Sequence, residues 1–119
     1  MRIRARLGKG RCYRLSEEAI MYLVMQYTVR DYDDWKPVFD ANEQVRTKHG
    51  CTGHEIYRSD DEANDLTIML GFPSREAGEA FLADPELKQR MDEAGVLSKP
   101  RTMWVTQSQC VDYRSRKAA

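Results

Sequence analysis

The sequence has 119 residues, 41% of them hydrophobic and 32% charged, which fits one globular domain built around a single core. Nineteen basic residues balance nineteen acidic ones, yet residues 1–20 carry a net charge of +4 and leave the remainder at −4. An acidic body lacks the clustered lysines and arginines that bind phosphate backbones, so no nucleic-acid partner is expected.

Cys12, Cys51 and Cys110 are widely spaced and form no C-x-x-C pair, so neither a disulfide framework nor a zinc site is expected, and the setting expected is a reducing, cytoplasmic one. The apolar run Ala19 to Met25 is too short to span a bilayer and passes into strand-like alternation, which predicts no membrane association. Residues 1–20 show no sustained apolar period and read as a basic flexible extension outside the fold.

Met21 to Val29 is rich in β-branched and aromatic residues and predicts the first strand. Asp33 is placed to cap a helix in which Pro37 falls in the first turn and Trp35, Val38, Phe39, Asn42, Val45 and His49 recur at three- and four-residue steps, up to Gly50. Gly53 to Arg58 and Leu66 to Phe72 predict a hairpin around the turn-forming run Ser59 to Asn64. Ser74 opens a second helix carrying Ala77, Ala80 and Phe81, and Asp84-Pro85-Glu86 restarts it with Leu87, Met91 and Ala94 until Gly95. Thr102 to Cys110 predicts the fourth strand, and residues 114–119 a disordered tail, which sets the domain at 21–113. The order strand, helix, strand, strand, helix, strand is the ferredoxin-like α+β signature, with two helices on one face of the sheet.

Alternation puts Leu23, Met25, Tyr27, Val29, Leu66, Ile68, Leu70, Phe72, Met103 and Val105 on the face beneath the helices. The opposite face, with Val24, Gln26, Thr28, Tyr57, Thr67, Met69, Trp104 and Thr106, is too apolar for open solvent and predicts a homodimer joined through the sheet, around Gln26, Met69 and Trp104.

Three segments carry a resemblance to a known family: Asp31-Tyr32-Asp33-Asp34-Trp35-Lys36-Pro37-Val38-Phe39-Asp40, Gly50-Cys51-Thr52-Gly53-His54-Glu55-Ile56-Tyr57-Arg58, and Phe81-Leu82-Ala83-Asp84-Pro85-Glu86-Leu87. From Tyr22 to Tyr113 the chain resembles the dimeric α/β-barrel superfamily, in particular small proteins grouped with the antibiotic-biosynthesis monooxygenases and often labelled cyclases. The resemblance implies a homodimeric barrel and a small-molecule enzyme acting on an aromatic or polyketide-like substrate without a cofactor. A non-catalytic dimeric ligand-binding or accessory protein is the alternative.

Substrates of such proteins enter between helices and sheet. There His54, Asn42 and Tyr27 are the candidate catalytic residues, and Trp35, Phe39 and Phe72 the candidate substrate contacts. An imidazole titrates near neutrality and can move a proton, while an amide on an apolar stripe needs a hydrogen-bond partner. His49 is assigned to the helix C-terminus, where a positive imidazole suits the dipole. No carboxylate cluster completes a ligand set around the histidines, so no metal is expected. Haem-degrading relatives use an Asn in strand one, a Trp in strand three and a His in helix two. This chain has Gln26, Phe72 and no helix-two histidine, so no haem is expected.

Overall fold

The computed structural model describes residues 21–116. Strand β1 (Met21–Thr28) hides alternate side chains, as an apolar run laid under helices must. Asp31, rather than Asp33, caps helix α1 (Tyr32–Ala41): its carboxylate accepts the Asp33 N–H at 2.8 Å. The aspartate nearer the break in apolar periodicity wins, and Asp33 and Asp34 fall in the first turn, where the helix dipole favours them. Pro37 therefore lies inside the helix.

The single helix expected up to His49 breaks at Asn42 and resumes as α2 (Glu43–Lys48). There the Asn42 N–H bonds to the Phe39 carbonyl and the Val45 N–H to the Asn42 carbonyl, both at 3.1 Å, tightening the backbone to three-residue spacing. Gly50 then takes φ 89°, a left-handed turn in which a side chain would be strained.

Strands β2 (Gly53–Arg58) and β3 (Asp65–Phe72) form the expected hairpin, and Val29 bridges to Val96 just beyond the end of β1. Helix α3 (Arg75–Ala83) is capped by Ser74, and α4 (Pro85–Glu93) by Asp84 with Pro85 at its start. Strand β4 (Arg101–Val105) is shorter than expected. Tyr113–Arg116 makes one helical turn, α5, where a disordered tail is predicted; Asp112 Oδ1 accepts the Arg114 N–H and caps it. The expected extension at residues 1–20 lies outside the described residues.

All pairings are antiparallel in the order β2-β3-β1-β4, the ferredoxin-like βαββαβ arrangement. Leu23, Met25, Tyr27, Leu66, Ile68, Leu70 and Phe72 meet Trp35, Val45, Phe81 and Ala94 from the helices in one core. No helix among the described residues is long and apolar enough to cross a membrane. Cys51 is a free thiol, half-buried beside the start of β2.

The expected phase of β4 is reversed. Leu23 pairs with Trp104 and Val24 with Met103, and directly opposed residues share a face. Trp104 therefore lies beneath the helices, and Met103, 53% exposed, lies on the open face. Alternation in Met103-Trp104-Val105 cannot fix its own phase because all three residues are apolar. Pairing to β1 fixes it instead, and Gly78 on α3 leaves the space that the indole fills.

His49 stands at the helix C-terminus as expected, as the C-cap of α2, and its side chain has a further partner. Its Nε2 stands 2.8 Å from Asp84 Oδ2, and Lys48 Nζ reaches the same oxygen at 3.0 Å. The end of α2 is thus tied to the α3–α4 junction. These partners, the His49 ring first and then the Glu86 N–H, hold the Asp84 carboxyl far below its ordinary range.

A Cβ at Gly78 would stand 2.5 Å from Trp104 Cη2 and Cζ3 and 3.3 Å from Phe72. Gly78→Ala should therefore cost about 1–3 kcal/mol in thermal or denaturant unfolding despite its better helix propensity. In a Trp104→Leu background the same change should cost little. Equal costs in both backgrounds would show that the two side chains do not compete for this space.

Candidate active site

Between α1, α2, α4 and the sheet lies a cavity of about 40 Å³. This is room for about one water molecule. The break at Asn42 positions its wall. Trp35, Phe39, Asn42 and Arg46 follow one another at steps of four, three and four residues, so the two short helices turn one stripe inward. Tyr27 from β1 and Arg90 from α4 complete the polar lining, and the rest is apolar.

Arg46 is the feature that composition least predicts. Its side chain is 6% exposed, yet no ion pair among the described residues includes it. Nη1 donates to the Phe39 carbonyl at 2.8 Å, and Cζ sits 3.9 Å from the centre of the Phe39 ring. A buried charge without a counter-ion is costly, and burial draws the guanidinium pKa below its ordinary value, with Cys51, Glu43 and Asp40 pulling the other way. Arg90 adds a second unmet donor: Nε is buried without a hydrogen-bond partner among the described residues, although its other nitrogens reach Glu86 and Glu93.

Of the residues named from sequence, Tyr27, Asn42, Trp35 and Phe39 meet at this cavity. Tyr27 is 7% exposed, and burial drives its phenol pKa strongly upward, only partly offset by a hydrogen bond with Trp35, so it serves as a donor and not a base. Asn42 is half-buried and its side chain makes no capping bond, so the structural hydrogen bond that would explain an amide here is missing among the described residues. Trp35 and Phe39 stack with ring centres 4.9 Å apart.

The other two stand apart. Phe72 is fully buried against Phe81, their centres 5.5 Å apart, and does not line the cavity. His54 is exposed on edge strand β2, with its ring edge-on to Phe39 at 5.0 Å. Packing there, and next the charge of Arg46, holds its imidazole below the ordinary value, hence neutral at pH 7.

Arg46 and Arg90 were not legible as site residues. The signal existed for Arg46: it lies four residues after Asn42 and seven after Phe39, on the same stripe. No group of three or more His, Cys, Asp or Glu among the described residues is arranged to hold a metal ion. The polar wall therefore offers donors (guanidinium, amide, phenol) and neither carboxylate nor imidazole. Such a wall accepts an anionic oxygen.

No protein-family model matches the sequence, and no curated protein matches it either. Solved structures do match. SnoaB, a cofactor-independent oxygenase from Streptomyces nogalater, is similar with a TM-score of 0.64 and 18% identity, over 78% of this chain and 97% of that one. A putative antibiotic biosynthesis monooxygenase from Bordetella bronchiseptica gives 0.67 and 10%, over 76% and 99%. The fold is that of the antibiotic-biosynthesis monooxygenases. A monooxygenase from the gene ActVA-Orf6 of Streptomyces coelicolor, solved with nanaomycin D, shares this monooxygenase fold at 0.60 and 14%, over 79% and 92%.

Asn42→Leu tests whether the amide is there for the fold. The variant should keep or gain thermal stability, because an unpaired amide gives way to an apolar side chain of similar volume. A loss of more than about 1 kcal/mol would instead reveal a structural partner.

Proposed function

We propose that the protein oxygenates a small aromatic or polyketide-like substrate, without a cofactor, by holding its anion at the cavity between helices and sheet. The observation that carries this reading is Arg46, a buried guanidinium whose only hydrogen bond to a described residue goes to a carbonyl. The fold shared with cofactor-independent and antibiotic-biosynthesis oxygenases supports it.

The chemistry needs an activated methylene whose anion is delocalised onto a neighbouring carbonyl or phenol oxygen. The CH2 proton leaves first, and the carbanion then gives electrons to dioxygen and forms a C–O bond. Loss of water from the resulting hydroperoxide leaves a carbonyl, so CH2 and O2 become C=O and H2O. One oxygen atom enters the substrate and the other is reduced to water. In this scheme Arg46 and Asn42 hold the delocalised oxyanion, Tyr27 donates to it, and Trp35 and Phe39 form the apolar wall that shields it from water. No base lines the cavity, so the proton leaves to solvent or to His54, which sits next to Phe39 at the sheet edge. The same lack favours a second reading as a ligand-binding protein without turnover. Oxygen consumption with a bound substrate separates the two, and ring closure without oxygen uptake would indicate a cyclase.

We further propose a homodimer joined through the open sheet face. The reversed phase of β4 moves its centre from Trp104 to Met103, beside Val24 and Met69. Met103→Glu should shift sedimentation from dimer toward monomer, since it sets a charge in a surface that would be desolvated. A wild-type monomer at micromolar concentration would sink the proposal.

Arg46→Met tests the anion site. The Phe39 carbonyl keeps the Asn42 N–H, so the fold loses a poorly solvated charge without stranding an acceptor, and stability should hold or rise. β-Naphthol bound to the wild type should show its phenolate absorption below the pH at which the free compound ionises. The variant should lose that shift and bind about tenfold more weakly. His54 should also titrate closer to its ordinary value once the neighbouring positive charge is gone, as read by NMR. Phenolate absorption retained in Arg46→Met would refute the assignment.

A further inference from the structure

A second cavity, of about 620 Å³, lies between α4, the segment 96–100 and β4. It shares Met25, Leu87 and Met91 with the small inner cavity, so three flexible apolar side chains form the partition between the two. The inner space holds about one water, too little for a ring system, whereas the outer space falls within the usual range of ligand pockets.

Leu97 lies on the outer wall and is 63% exposed. Its exposure does not come from a loose loop. The Leu97 N–H bonds to the Thr28 carbonyl at 2.8 Å, the Val96 N–H to Met91 at 3.1 Å, and Ser98 Oγ accepts the Thr28 N–H at 3.0 Å. The backbone thus presents a large apolar side chain at a fixed position. Lys88 and Lys99 stand on the same wall, and no ion pair among the described residues includes either. Asp92 is the one carboxylate of the wall; it follows Lys88 by one helical turn without pairing to it.

We propose that the outer cavity binds the body of a fused-ring aromatic acid, its rings on Leu97 and its carboxylate toward Lys88 and Lys99. In this arrangement Met25, Leu87 and Met91 determine specificity by admitting only the reacting end of the ligand to Arg46. The inference rests on the anion-holding reading above, but concerns where the rest of the ligand lies. A basic wall over an apolar floor suits an anionic, flat molecule better than a neutral one. Methionines at the partition suit it too, because an unbranched thioether changes rotamer at little cost.

The test compares β-naphthol with the hydroxynaphthoate that carries hydroxyl and carboxylate at opposite ends of its two rings, using the full chain and measuring affinity alongside phenolate absorption. The hydroxynaphthoate should bind about tenfold more tightly than β-naphthol, and the double change Lys88→Gln, Lys99→Gln should abolish that preference, weakening the hydroxynaphthoate about tenfold more than β-naphthol. Leu97→Trp, at an exposed position that tolerates bulk, should weaken both probes by filling the cavity. Equal affinity of the two probes for the wild type, or Leu97→Trp without effect, overturns this placement. Phenolate absorption still dependent on Arg46 would leave the anion-holding reading standing in that event. Displacement of the probes by a second copy of the chain, seen as competition with self-association, would also overturn the placement.

Discussion

Strand β1 is hydrogen-bonded along both edges, to β3 over its whole length and to β4 from Tyr22 to Gln26. A strand paired on both sides cannot slip by one residue without breaking its register with both neighbours and turning all its own side chains to the wrong face. Its register therefore fixes which residues of β3 and β4 lie under the helices, and with them the floor of both cavities, Met25, Tyr27, Ile68 and Thr102. The indole of Trp104 over Gly78 and the exposure of Met103 follow from the same pairing.

The break at Asn42 is the second constraint, and it connects helix geometry to chemistry. Two segments with a tightened junction direct Trp35, Phe39, Asn42 and Arg46 to one place while His49 and Lys48 turn to Asp84. Anchoring α2 at its far end keeps the Arg46 guanidinium over the Phe39 ring and away from solvent. Burying that charge is unfavourable to the fold, and the stacking and the single bond to Phe39 repay part of the cost. Groups kept at such a cost are the ones to examine for function.

Element order and most caps were legible because they depend on local chemistry: the Ser74 and Asp84 caps, Pro85, Gly50 and Gly95 each act within a turn of their own position, whereas the α1 cap falls on Asp31 instead of Asp33 and the break at Asn42 carries no Gly or Pro to mark it. The other differences depend on distant partners. Three consecutive apolar residues in β4 carry no phase, so alternation alone puts Trp104 on the face opposite to the one that its pairing with Leu23 gives it. Apolar spacing carries the stripe of the expected helix through Val45 and His49, while Arg46, its cavity-facing member, is a charged residue of the kind ordinarily assigned to solvent. Phe72 and His54 lie on suitable strands, but whether a strand residue faces cavity, core or edge is set by the strand order and the helix above it. Four of the six named site residues nevertheless meet at one cavity, since helical spacing and one long strand suffice to bring them there.

The cavity imposes opposite tendencies on two kinds of phenol. Tyr27 is pushed away from ionisation because burial outweighs the distant charge of Arg46. A ligand phenol of pKa about 10 needs about 4 kcal/mol of preferential anion stabilisation to ionise at pH 7. One hydrogen bond to a guanidinium contributes about 1.5–3 kcal/mol and one to a neutral amide about 0.5–1.5, so Arg46 and Asn42 together reach that range only when both donate to the same oxygen. Tyr27 receives neither bond and keeps its proton; an oxygen placed between the two donors loses its own. Position relative to the donors would then outweigh burial for a ligand, and under the proposed reading one apolar cavity could keep the Tyr27 phenol neutral while favouring a ligand's anion.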